Sequence, residues 1–551
     1  ISSAKEFEEY CKQYKNAGYQ YFRLLKDINY VSEDIYSTKL YGNVLIGYFE
    51  GNGFSISNYA VNSIVSNLTA GFFAQIGANA YEVSCLKNTT FVPAYINLPN
   101  CVYVGGIAGS VVNTDVLNVS LDAKDVIIVG GNIVGGLFGR SFGQTNISQA
   151  YANVSVKANS YNSTALKASN DLDNLISEIQ LNDRRTNQNK VSYAGALIGY
   201  VDGITNLTQI SIGENTKTLA MITGLMFGGI GALSKAYDFN LTLNSYDNQI
   251  VAYAFGGYVA GEIIGEVRDF AVNSEIINYN LFNTYPISPV ALGGVAGFAD
   301  SAKISNLVSN EGYSIIGTRI IGKDTNNYLI IHNPYLATYV GGVVGVGYAN
   351  ISNISINPKD ANKGLALMGG NYVGGVIGYV RGITKEADQN NKIKKSAISN
   401  VDIKLIGHKE YVNQDGVTTT DKLYISYISS SVGEDINIKP NMEQNIGLLY
   451  ADKTDTAGLL LQAGNNVSIN AQNKLIFVFA DYINLDITDS TLNNKAINFN
   501  AKLEKSQLTD NETYKTYVNN ANISLKLMRL ESNESVEKTL YDIANPKQEG
   551  N

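Results

Sequence analysis

One glycine-rich phrase recurs along this chain and restricts its fold more than any other feature. Residues 103–110 read YVGGIAGS, 133–140 IVGGLFGR, 193–200 YAGALIGY, 254–262 AFGGYVAGE, 291–298 ALGGVAGF, 339–346 YVGGVVGV and 372–379 YVGGVIGY. Weaker copies begin at Thr69, Met226 and Asn445. The first glycine of successive copies falls at 71, 105, 135, 195, 228, 256, 293, 341, 374 and 447, so a unit near 30 residues is sometimes doubled or lengthened by insertion. Repetition at that period is the signature of a stacked architecture, in which one unit cannot bury its own apolar face but neighbours bury it together.

The segments between the phrases specify the unit. Residues 116–124 (VLNVSLDAK), 304–310 (ISNLVSN), 351–357 (ISNISIN) and 398–407 (ISNVDIKLIG) alternate apolar and small polar residues with period two, as half-buried strands do. Asn306, Asn353 and Asn400 each stand two places after an isoleucine, where a residue tolerant of positive φ suits a corner. Short strands joined by Gly and Asn corners, stacked along an axis, predict an all-β, right-handed parallel β-solenoid. The glycine pairs Gly105–Gly106, Gly135–Gly136, Gly293–Gly294, Gly341–Gly342 and Gly374–Gly375 are then structural, placed where a Cβ would crowd the next layer. Tyr103, Tyr193, Tyr339 and Tyr372 open four copies and would stack wherever their turns adjoin.

This pattern resembles the GLUG motif of bacterial and protist surface proteins. The lead-in resembles it too: Tyr21–Tyr30 reads YFRLLKDINY and Glu50–Asn58 reads EGNGFSISN, ahead of the first Gly-rich copy. The resemblance spans about 20–407. It implies a β-solenoid of the kind found in adhesins, large cell-wall proteins and the non-catalytic part of secreted metallopeptidases.

Four segments are expected. Residues 1–19 form a helical cap, with Ser3 and Glu6 as a capping box, Phe7, Tyr10, Cys11 and Tyr14 on one face, and Gly18 as the stop. Residues 20–407 form the solenoid, interrupted at about 165–186 by a helical insertion in which Leu172, Leu175, Ile176 and Ile179 keep helical spacing. Residues 408–530 continue as strands, in further turns or a separate β domain, and 531–551 form a tail or linker.

Composition narrows the function. Net charge is −8 with 16% charged residues, which implies no basic surface and no nucleic-acid partner. No apolar run reaches 18 residues, so no transmembrane segment is expected. Two histidines, His332 and His408, stand in no HExxH pattern, and the phrases read GGxxG rather than GxGxxG without a P-loop Lys-Ser/Thr. No cofactor, no metal and no catalytic residue is assigned. Asp202, Asp300 and Arg381 share one position after the phrase, but several turns apart, too far for paired glycosidase carboxylates.

Sequons are abundant: Asn67, Asn88, Asn118, Asn146, Asn153, Asn162, Asn206, Asn240, Asn350, Asn353, Asn466, Asn511, Asn522 and Asn533. With 65 Asn and 72 Ser plus Thr, chance gives about 8 where 14 occur. Asn67, Asn146, Asn206 and Asn350 follow the corner-like part of the repeat and are the preferred acceptors. Cys85 and Cys101 stand about one turn apart and are a possible disulfide, or else small buried hydrophobes. The expectation is an exported, non-enzymatic structural or adhesive protein, its signal peptide removed, touching sister chains, other surface proteins or glycans. A carbohydrate-active β-helix enzyme and the scaffold segment of a larger secreted peptidase are the alternatives.

Overall fold

The computed structural model describes residues 1–13, 18–35, 43–78, 82–159, 191–243, 248–274, 291–316, 339–360, 363–368, 372–380 and 397–405, residues 176 and 179, and short strands between 278 and 332 and beyond 405. Two compact units are present, 1–271 with 287–289, and 272–286 with 290–551.

The first unit is a parallel β-solenoid behind a helical cap. One turn illustrates it: strand Tyr103–Gly105, an arch at Gly106–Ile107, strand Ala108–Val112, a corner at Asn113, then the long strand Thr114–Gly130. The next turn repeats this as Ile133–Gly135, Phe138–Phe142 and Gln144–Ala158. Each of these strands pairs parallel with its counterpart, Tyr103↔Ile133, Ala108↔Phe138 and Val116↔Ile147, the long strands keeping one register as far as Asp122↔Asn153 and shifting it before Ile127↔Ser155. The long strand alternates, with Val116, Val119, Leu121 and Ile128 inside and Asp115, Leu117 and Asn118 outside. Ala108–Val112 is buried on both faces.

That double burial explains the glycines. A Cβ on Gly105 would lie 2.0 Å from the Ala108 carbonyl oxygen, and one on Gly106 would lie 2.4 Å from the carbonyl oxygen of Gly136 in the next turn. The same holds at Gly135 (1.8 Å from the Phe138 oxygen), Gly136, Gly293, Gly294, Gly341 and Gly342. Each meets a backbone oxygen that cannot swing aside, and side chains close in as well, Leu121 lying nearest to Gly106 at 2.2 Å. None of these glycines has the positive φ that would itself demand glycine; close approach is the reason. The arches also bond to each other, Gly106 N–H to the Gly136 oxygen at 2.7 Å and Gly342 N–H to the Gly374 oxygen at 3.0 Å.

The cap is the helix Ala4–Gln13. Ser3 Oγ accepts the Glu6 N–H at 3.0 Å, as a helix start requires. Glu6 reaches back to Ser2 rather than Ser3, and Glu33 from beyond the helix accepts the N–H groups of Ala4 and Lys5 at 2.8 and 3.0 Å. Phe7 is fully buried and lies 5.8–6.1 Å from the rings of Phe22, Phe49, Phe72 and Phe73, so one side chain closes the open end of the first turns. Cys11 is buried beside it and Tyr10 packs edge-on to Phe22; Tyr14 lies outside the described residues.

The doubled step also resolves. After Ala158 the chain leaves the stack and returns in register, Ile133↔Tyr193. Within this excursion Ile176 and Ile179 are helical and fully buried, while the rest of the expected insertion, Leu172 and Leu175 included, lies outside the described residues.

The second unit stacks in the same way. Ala291, Tyr339, Tyr372 and Asn445 are successive register partners, as are Ile304, Ile351 and Ile398. Its longer step holds a hairpin, Arg319–Lys323 with Leu329–His332, which joins Glu410–Asn413 and Thr418–Thr420 in a separate sheet. Leu460–Ala463 and Val467–Ala471 still pair parallel with the strand Ala397–Leu405, after which Tyr482–Leu492 and Lys495–Glu504 run antiparallel. The segment 531–551 lies outside the described residues.

Gly341→Val tests the arch. Its Cβ would lie 1.8 Å from the Val344 oxygen and 2.5 Å from the Gly378 nitrogen, so the variant should lose about 3 kcal/mol or more in denaturant unfolding. Gly18→Ala, with nothing within 4 Å of its Cβ, should stay within about 0.5 kcal/mol of the parent.

Candidate binding face

The outer surface of the stack is organised into columns by the register. At one corner each turn places a residue at positive φ: Asn88 (54°), Asn118 (53°), Gln149 (54°), Gln209 (51°), Asp238 (54°) and Asp269 (54°) in the first unit, Asn306 (58°), Asn353 (57°) and Asn400 (52°) in the second. Backbone pairing steps over this residue: Leu117 pairs with Lys87 and Val119 with Thr89, but Asn118 has no backbone partner in the ladder. Its side chain bonds there instead. Asn118 Nδ2 donates to Asn88 Oδ1 at 3.0 Å, Asn353 to Asn306 at 2.8 Å and Asn400 to Asn353 at 2.9 Å. Asn fits because it tolerates the left-handed region and its amide both donates and accepts.

A second column runs beside it. Asn206 Nδ2 donates to Asn146 Oδ1 at 3.0 Å, and Asn146 donates to Asp115 at 2.8 Å. A third pair, Asn153 to Asp122, spans 2.8 Å. These ladders share a polarity. Each of these asparagine amides donates to the preceding turn, and three runs in the first unit end on a carboxylate, which can only accept: Glu50 receives Asn88 at 3.0 Å, as Asp115 and Asp122 receive theirs. Asn58 likewise donates back to Asn29 at 3.1 Å, whereas Gln209 donates forward to Asp238 at 3.4 Å.

Glu50 anchors the aromatic end of this face. Burial pushes its carboxyl up, but the Asn52 N–H, the Asn88 amide and the Lys87 ammonium outweigh that and hold it below the ordinary carboxylate value. Lys87 Nζ stands 3.3 Å from Glu50 and 4.8 Å from the centre of the Tyr48 ring. Tyr21 is the register partner of Tyr48, their rings 6.2 Å apart, and is 75% exposed.

Inside the stack, tyrosine hydroxyls serve the arches. Tyr59 donates to the Gly106 oxygen at 3.1 Å and Tyr313 to the Gly342 oxygen at 2.8 Å, both fully buried. Tyr193 donates to the buried Glu262 at 2.9 Å, and Arg140 lies 4.3 Å over the Tyr103 ring. Of the opening tyrosines, Tyr339 and Tyr372 are register partners, but Tyr103 and Tyr193 each lie beside Ile133.

The sequons divide by these columns. Asn88, Asn118, Asn146, Asn153, Asn206 and Asn353 have their amide nitrogens donating within ladders. Asn240 and Asn350 are exposed and Asn67 half-exposed; Asn162, Asn466, Asn511, Asn522 and Asn533 lie outside the described residues. The Cys85–Cys101 bridge is not formed, since all three cysteines are free. Cys85 lies in the strand Ser84–Leu98 and Cys101 three residues past its end, so their spacing is spent along one turn rather than between two. Burial pushes the Cys11 thiol up to about 12. Asp202 is a corner residue whose carboxylate accepts the Gly203 N–H at 2.8 Å, while Arg381 and His408 lie outside the described residues. Among the described residues no three His, Cys, Asp or Glu come together as a metal site, and no helix is long and apolar enough to cross a membrane.

Sequence reading found the corner asparagines but missed Glu33, Glu50, Asp115, Tyr59 and Tyr313. Their partners lie 28 to 47 residues away, in other turns. No known family matches the chain, and neither a curated protein nor a solved structure matches it.

Two outcomes test the ladders. In non-glycosylated protein, Asn353→Ala should cost about 2 kcal/mol, combining an unfavourable φ with a lost hydrogen bond, and Asn353→Gly only about half of that. Because the folded-state Glu50 carboxyl is lowered, its contribution is present above the ordinary value of 4.5 and is lost as pH falls below it. Glu50→Gln should therefore flatten the acid limb of the stability curve while leaving its neutral-to-alkaline shape unchanged.

Proposed function

We propose that this chain is a cell-surface or extracellular β-solenoid of the GLUG-repeat kind, with a structural or adhesive role. It makes protein or glycan contacts with sister chains or other surface proteins. One observation carries the reading. The repeat that stacks the interior of each unit also sets exposed amides at a fixed spacing on its outer face, Asn118 and Asn146 in the first unit and Asn353 in the second. A surface of repeated planar hydrogen-bonding groups suits many weak, parallel contacts, as at wet interfaces. Its working part is then a face rather than a cleft.

Export is supported by the sequons that remain outside the ladders. A glycan on a ladder amide would crowd its neighbours about 4.8 Å above and below, whereas Asn240 and Asn350 are exposed and do not stand in these ladders. In material from its native source, glycopeptide mapping should find sugar at Asn240 and Asn350, with the ladder positions Asn146 and Asn206 bare. Sedimentation of the same material should show an assembly. An unmodified protein would remove this support for export, and an isolated monomer that turns over a polysaccharide would overturn the reading and favour a carbohydrate-active enzyme.

A further inference from the structure

We propose that the outer face of the first unit binds a neutral, extended polysaccharide laid along the stacking direction. This rests on the structural-adhesive reading above and specifies its ligand. The face is built by register: Tyr21, Tyr48, Cys85, Asp115, Asn146 and Asn206 succeed one another, one per turn, all pointing outward. Parallel strands set the step at about 4.8 Å, close to the length of one pyranose unit in an extended chain. Such a ligand meets one outward side chain of the column at each step.

The chemistry of the column changes along its length in a way that suits sugar. At one end Tyr21, 75% exposed, offers a ring against which the C–H face of a pyranose packs, and Tyr48 beside it is half-buried with Lys87 4.8 Å over its ring. Further along, Asp115, Asn146 and Asn206 hold their side chains in one hydrogen-bonded line, which pre-orders them to meet hydroxyl groups. Tyr237, the register partner of Thr208 and two residues along the strand from Lys235, the partner of Asn206, gives a third ring, with Arg268 4.8 Å over it.

Charge selects a neutral ligand. The cations beside the column are matched internally: Lys87 with Glu50 at 3.3 Å, Lys235 with Glu266 at 3.6 Å and Arg268 with Glu266 at 3.1 Å. A polyanion would have to compete with those carboxylates and would face Asp115 as well. A neutral chain displaces only water.

Affinity electrophoresis of the intact protein in gels containing hydroxyethyl cellulose, mannan or xylan, with heparin as the charged comparison, tests this directly. Retardation by at least one neutral polymer is expected, weakened about tenfold in Tyr21→Ala, whose side chain is too exposed to carry the fold. Asn146→Ala should weaken it as well, and circular dichroism of both variants should match the parent. Retardation by heparin alone, by none of the polymers, or equally in Tyr21→Ala would overturn the proposal. Sedimentation run in parallel separates the two readings. Assembly without polymer binding sinks only this inference, whereas a monomer that degrades polymer sinks the structural reading itself.

Discussion

The structure depends on backbone meeting backbone at the glycine arches. Two strands of one turn, joined by a glycine pair, approach so closely that a Cβ at Gly135 would stand 1.8 Å from a carbonyl oxygen of the same turn, and one at Gly136 would stand 1.8 Å from the Ala196 oxygen of the following turn. Such proximity allows only one register between turns, because a slip of one residue would bring a side chain where none fits. In-register parallel pairing along the long strands then follows, and with it the burial of Val116, Ile147 and Leu207 in one continuous interior row.

Fixed register has a consequence at the surface. Where the chain turns through the left-handed region the backbone ladder is interrupted, and side-chain amides complete it. Asparagine can extend such a line indefinitely, since each amide donates to one turn and accepts from the next; aspartate and glutamate can only end it. The first unit uses both properties, running amides back to Glu50, Asp115 and Asp122. The same rule gives the outer face its order. Interior packing and the order of the exterior side chains are thus two results of a single spacing.

Much of this was legible in the chain itself, and the reason is periodicity. The phrase recurs because every turn faces the same steric problem, so Gly105, Gly135 and Gly341 reveal the stack, and Asn306, Asn353 and Asn400 reveal its corner, where the structure places them at φ between 52° and 58°. The helical cap was readable from Ser3 and Phe7, although Glu33 shares the work of satisfying the helix start. What escaped was whatever occurs once. Tyr59 and Tyr313 look like any strand tyrosine until the fold brings their hydroxyls to arch carbonyls. Glu50 looks like a turn residue until Lys87 and Asn88 arrive from the next turn. The cysteine pairing failed for a related reason: spacing near one period does not say whether two residues face each other or lie apart along one turn, and Cys85 and Cys101 do the latter.

The register itself is the claim on which the columns, the ladders and the binding face all stand. It is most exposed to contradiction at Ser148 and Thr208, which lie on either side of the long excursion yet are register partners in adjacent strands. Nitroxide labels at these two positions, in a background with the native cysteines replaced, would sit on strands about 4.8 Å apart. The frozen-solution electron paramagnetic resonance spectrum of the double-labelled protein should show strong dipolar broadening absent from either single label. A double-label spectrum equal to the sum of the singles would mean that the chain does not re-enter the stack in register, and the account would fail at its foundation.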